Sequence, residues 1–196
     1  MEIKQVNKVI LTPTAPFNFD ATFHKPDHFT SGDNYWDKGV KWQTWWWRGK
    51  EFGLKFENEG TIDKPKVLVR VYALFKPDKK LLDSLIEEVK YRYNLDLDLS
   101  GFYKQFTKDK DLSPIIKRWK GMRPGHPSSL YEYLIIGIVL QNATVRRSIQ
   151  MFRTLLEKYG EPLEFDGKKL IIECKRIVNA RKIREELRSL KVGYRA

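Results

Sequence analysis

The sequence predicts an α+β protein, with a small antiparallel β-sheet domain over residues 1–76 and an all-helical domain over residues 77–196. Three observations carry that division. Segments that alternate apolar and polar residues cluster before Lys76-Pro77. After that point apolar residues recur at intervals of three and four. Five of the six tryptophans lie in the first 76 residues, whereas a net +9 of the total +12 charge lies beyond them. A chain of 196 residues with 41% hydrophobic content can bury a core without covalent staples.

The strand assignments follow in order. Residues 12–39, rich in Pro, Asp and Gly, read as loops and strand edges, with Phe17 and Phe19 alternating inward. Trp36 falls in a loop-like Asn-Tyr-Trp-Asp stretch. Lys41 to Arg48 is a strand with Trp45 and Trp47 on one face and Trp42 and Trp46 on the other. These rings are expected to pack in the core, although aromatics of this kind also stack on bases. Residues 50–57 place Phe52, Leu54 and Phe56 on one face, and Val67 to Tyr72 is β-branched and alternating. Asn58-Glu59-Gly60 turns the chain between them.

The helices follow. Pro77-Asp78 starts one that carries Leu81, Leu82, Leu85, Ile86 and Val89 inward and ends near Tyr93-Asn94. Leu95, Leu97 and Leu99 form an extended link, and Phe102, Tyr103 and Phe106 a short helix. Asp111 or Ser113 caps the next, with Ile115, Ile116 and Trp119 inward. Ser129 and Glu132 form a capping box for Leu130 to Leu140, a helix apolar almost all round and therefore expected at the centre of its domain. Asn142 or Thr144 caps a helix with the stripe Val145, Ile149, Phe152, Leu156 and Tyr159, which Gly160 stops. Lys175 to Leu190 is the last helix.

Composition narrows the function. One cysteine, Cys174, excludes an internal disulfide scaffold and, with no signal peptide, places the protein in the cytoplasm. The apolar run 130–140 is too short for a bilayer and contains Glu132, so no membrane is expected. His24, His28 and His126 make no spaced ligand set, so neither metal nor cofactor is expected. A +12 charge favours a polyanion such as nucleic acid, beside the alternative of a lysine-rich solvated surface. Residues 104–123 hold seven basic and two acidic residues and end in the rigid loop Lys120 to Pro127, which could meet phosphates or simply turn in solvent.

The corner after the apolar helix is the more specific feature. Gln141 and Asn142 stand at its end, and Arg146 and Arg147 occupy the first turn of the next helix. A helix N-terminus disfavours cations and favours an anion. Arginines there, with exposed amides beside them, suit contacts to phosphates and base edges, against the plainer reading of a surface cap with two solvated side chains.

Residues 128–160, from S-S-L-Y-E-Y through L-Q-N-A-T-V-R-R to E-K-Y-G, resemble the helix-hairpin-helix superfamily of base-excision DNA glycosylases. Tyr93 to Leu99 with Phe102-Tyr103, and Gly121-Met122-Arg123, are similar to its 8-oxoguanine and 3-methyladenine branch, which also carries a small antiparallel sheet. Gly193-Tyr194-Arg195-Ala196 resembles a turn of the 8-oxoguanine enzymes.

The resemblance implies that Asn142 fills the gap left by a flipped base, that Arg147 reads the orphaned opposite base, and that Gln141 supports the turn. It implies double-stranded DNA containing a damaged base as partner, and excision of a base such as 8-oxoguanine, with lyase chemistry where a family lysine is present. Alkylated-base excision, a non-catalytic DNA-binding module and an RNA-associated or structural protein are the alternatives. The family's hairpin, catalytic aspartate and lysine follow the Gly-Tyr-Arg-Ala position, so no catalytic residue is assigned here. The expectation is of the N-terminal two thirds of a glycosylase. If a further segment packs on the helix Leu130 to Leu140, this chain exposes an apolar patch that favours self-association.

Overall fold

The computed structural model describes residues 2–24, 32–126, 129–172 and 187–188. Five antiparallel strands, β1 (Lys4–Leu11), β2 (Asn34–Asp37), β3 (Val40–Trp47), β4 (Lys50–Asn58) and β5 (Val67–Ala73), form one sheet in the order β1-β5-β4-β3-β2. The N-terminal strand β1 thus lies beside β5, and a one-residue irregularity between Gln5 and Asn7 shifts its register. The sequence reading assigns neither β1 nor β2. It also takes residues 12–39 for loops, whereas Phe19–Phe23 is a one-turn helix, α1, whose Asn18 side chain accepts a hydrogen bond from Ala21 N.

Alternation puts Phe52, Leu54 and Phe56 on one face of β4, all fully buried. Val67, Val69 and Val71 continue that face on β5, and Trp45 on β3. Helix α2 (Lys79–Arg92) covers it with Leu85, Ile86 and Val89, started by Asp78, whose carboxylate accepts from Leu81 N at 2.7 Å. The tryptophans divide between the two faces as expected, and none of the four in β3 is exposed. Trp47 Nε1 donates to Ser84 Oγ at 3.0 Å, and the Arg92 guanidinium lies 4.3 Å from the Trp45 ring centre.

The opposite face is covered by an element missing from the sequence reading. Strands β6 (Glu161–Phe165) and β7 (Lys168–Ile172) form a hairpin within the otherwise helical part. Its Leu163, Phe165, Leu170 and Ile172 pack with Ile3, Tyr72, Trp42 and Trp46. A side chain at Gly53 would put its Cβ 2.7 Å from the Phe165 ring, so glycine is what lets the hairpin close on β4. At the tip, Asp166 and Gly167 both have positive φ, the geometry of a tight hairpin turn.

Asp166 fastens that tip to the sheet. Its carboxylate accepts from Trp42 Nε1 at 2.7 Å and from Tyr72 OH at 3.0 Å, and pairs with Lys55 Nζ at 2.9 Å. Burial pushes the carboxyl pKa up, but the hydrogen bonds from Lys55, Trp42 and Tyr72 outweigh it and hold the group below the ordinary carboxylate range.

Helices α3 (Ser100–Phe106), α4 (Leu112–Arg118), α5 (Leu130–Leu140) and α6 (Val145–Tyr159) complete the described elements. The capping box at Ser129 and Glu132 forms as expected. For α4, Asp111 stands at the N-cap position as expected but its side chain makes no capping bond, and Asp109 instead accepts from Asp111 N and Leu112 N. The expected helix 175–190, Cys174, His28 and the Gly193–Ala196 turn lie outside the fully described residues.

Candidate nucleic-acid interface

The corner between α5 and α6 is built from the residues that the sequence singles out. Helix α5 ends at Leu140, Gln141 leaves in an extended conformation, and Asn142 follows at φ +47°. Asparagine tolerates that left-handed region better than most non-glycine residues. Of the two candidate caps, Thr144 is the one used, and its hydroxyl accepts from Arg147 N at 3.2 Å. Gln141, Asn142, Arg146 and Arg147 are all exposed. The structure therefore brings the four predicted residues onto one solvent-facing turn, with two cations over a helix N-terminus.

Helix α6 is held from below. Met151, Phe152, Leu155 and Leu156 are buried with Val139 of α5. Val145, expected in that stripe, is exposed, and Ser148 occupies the buried position beside it. The Ser148 hydroxyl spans from α6 to Val139 O of α5 at 2.9 Å.

The basic loop 120–126 is structural where the sequence allowed a phosphate contact. Arg123 is fully buried and donates to the carbonyls of Leu97, Thr14 and Pro16. Burial pushes its pKa down, with Tyr103 and Asp98 opposing, although a guanidinium stays charged inside proteins. Lys120 pairs with Asp63 at 2.8 Å. Gly121, at φ +83°, leaves room for Asn18 N, which would sit 2.7 Å from an added Cβ. The His126 ring meets Tyr91 edge-on, and His24 stacks on Trp36 at 4.0 Å. Among the described residues no group of three His, Cys, Asp or Glu side chains comes together.

Two apolar surfaces stand open nearby. Leu99, Phe102, Tyr103, Ile116, Trp119 and Met122 line a groove of about 330 Å³ between α3 and α4. Ile115, expected inward, is 57% exposed on its rim. Helix α5, expected to be central, shows Leu130, Leu134, Ile138 and Leu140 to solvent, with Leu130 78% exposed. An exposed apolar patch on α5 is thus present among the described residues. No helix among the described residues is long and apolar enough to cross a membrane.

No protein-family model matches the chain, and no curated protein sequence does. Solved structures do. A 3-methyladenine DNA glycosylase from Archaeoglobus fulgidus superposes with a TM-score of 0.76 at 14% identity, over 94% of this chain and 62% of its own. The Clostridium acetobutylicum 8-oxoguanine glycosylase/lyase, in complex with double-stranded DNA containing cytosine opposite 8-oxoguanine, gives 0.66 at 15% identity, over 98% and 60%. MBOgg1, in complex with a low-affinity DNA ligand, gives 0.64 at 18% identity, over 98% and 61%. The chain thus spans about three fifths of the length of these proteins, and over that length it shares their fold.

Proposed function

We propose that this chain is the DNA-binding and base-flipping part of a base-excision DNA glycosylase, and that its partner is duplex DNA containing a damaged base. The observation that supports this most is the α5–α6 corner: Asn142 at the tip of an exposed turn, with Arg146 and Arg147 in the first turn of α6. A base rotated out of the stack leaves a void that a short amide can enter, and an unpaired base whose edge an arginine can satisfy. Asn142 takes the first role and Arg147 the second. Gln141 supports the turn, and Arg146 faces the phosphates.

An oxidised purine of the 8-oxoguanine kind is the proposed substrate, and an alkylated base is the alternative. Bond cleavage is assigned to no residue of this chain. A non-catalytic DNA-binding module would use the same footprint and is the second reading.

The test is titration of the chain against a labelled duplex with a central abasic analogue and against its intact counterpart, at several salt concentrations. Preference for the abasic duplex is expected, weakened about tenfold or more by Asn142→Ala or Arg147→Ala. Arg146→Ala should weaken binding to both duplexes and lower the salt slope by about 0.9. Equal affinity for the two duplexes would remove the base-flipping assignment. Base release by the full gene product then separates the glycosylase from the module.

A further inference from the structure

We infer that Ser148 is a positioning residue that sets the Asn142 turn, and through it the discrimination between a gapped and an intact duplex. The inference rests on the corner being the DNA-contacting surface proposed above.

Ser148 is fully buried, in the first turns of α6, on a face otherwise made of apolar side chains. Its hydroxyl oxygen lies 2.9 Å from Val139 O and 3.1 Å from Thr144 O. A hydroxyl has one proton to give. Thr144 O already accepts the Ser148 backbone N–H at 2.9 Å, as the helix requires. Val139 O belongs to the last turn of α5, where carbonyls outrun the helical N–H groups available to them. Val139 is itself buried, so water does not stand in. The proton therefore goes to Val139 O, and the hydroxyl ties the end of α5 to the start of α6.

Everything between those two anchors is the proposed reading head. Residues 140–147 leave α5 and enter α6 within one reversal, closed by Gln141 N on Ile138 O at 3.3 Å and by Arg147 N on the Thr144 hydroxyl at 3.2 Å. Those two bonds lie at the exposed surface, whereas the Ser148 bond, which crosses the reversal, is buried. Asn142, at a left-handed φ of +47°, lies between the two helix ends that this bond joins, and fixing both ends favours such a conformation. A small displacement of such a group costs much of its contact, since positioning is what a gap-filling side chain supplies.

Ser148→Ala removes the tie while leaving the apolar volume nearly unchanged. The expected result is a roughly tenfold drop in the ratio of affinities for the abasic and intact duplexes, with the salt slope unchanged. Faster amide exchange at 141–144 should accompany it. Met151→Ala is the control. It thins the same α5–α6 core away from the turn, and should lower the melting temperature at least as much while keeping the ratio. An unchanged ratio in Ser148→Ala overturns the inference. So does an equal loss in Met151→Ala, which would make the effect one of stability. A wild-type ratio of one overturns the DNA reading itself, a result visible before any variant is made.

Discussion

The sheet and the helical face of this molecule are finished to different degrees. On the sheet, α2 closes one side and the β6–β7 hairpin the other, so Phe52, Leu54, Phe56, Val67, Val69 and Val71 are wholly buried. On the helical side, α3 and α4 contain no buried residue, and α5 turns Leu130, Leu134 and Ile138 outward. Apolar content alone does not make a core. Helix α5 is more uniformly apolar than any strand of the sheet, yet among its residues only Glu132 and Val139 are buried. Most of the buried apolar side chains among the described residues therefore pack against the sheet, and the exposed apolar surface lies among the helices.

The contrast is sharpest in truncations. Phe52→Ala should cost about 3–5 kcal/mol, whereas Leu130→Ala should stay within about 0.5 kcal/mol, both by denaturant unfolding. Comparable losses would break the comparison. Gly53→Ala should cost about 1–3 kcal/mol by driving a methyl into the Phe165 ring, and the hairpin amides should lose exchange protection first.

Asp166 gives that hairpin a pH dependence. Its folded pKa is lower than its unfolded one, so its contribution is complete above about pH 3.9 and is lost as pH falls through the lower folded value. Asp166→Asn should flatten that acid limb in a stability-versus-pH series. An unaltered limb would mean that other carboxylates carry it.

The smallest effect on stability and the largest on assembly belongs to Leu134→Glu. It should leave unfolding within about 0.5 kcal/mol but abolish self-association in sedimentation, because it places a charge in the exposed α5 face. A wild-type chain that is monomeric at every concentration would contradict that use of the patch.

Much of this was legible in the residues. Strands β3, β4 and β5 declare themselves by alternation, and α2 and α5 by Asp78 and by the Ser129–Glu132 box. The hairpin is missing from the sequence reading although it carries a turn signal, Asp166-Gly167 between alternating Leu163, Phe165, Leu170 and Ile172. Pro162 and the charges of Glu161, Glu164, Lys168 and Lys169 mask it amid helices. Helix α1 is a single turn and offers too few residues for any period to show. At the corner, helix-end chemistry marks Thr144 and the two arginines, but the roles of Asn142 and Arg147 come from resemblance. Ser148 was passed over because a serine in an apolar stripe looks like an interruption. Only the neighbouring helix end shows what its hydroxyl meets.

Arg123 sets a limit on how this protein can be dissected. Its guanidinium reaches back 107 and 109 residues to Pro16 and Thr14, and 26 residues to Leu97. A fragment beginning at residue 77 would keep the cation and the Leu97 carbonyl but discard those of Thr14 and Pro16, two of its three acceptors. A fragment ending at residue 76 would keep the Thr14 and Pro16 carbonyls and lose the donor. With α2 packed on the sheet and this side chain joining the two parts as well, neither half is expected to survive excision at the point where the composition changes.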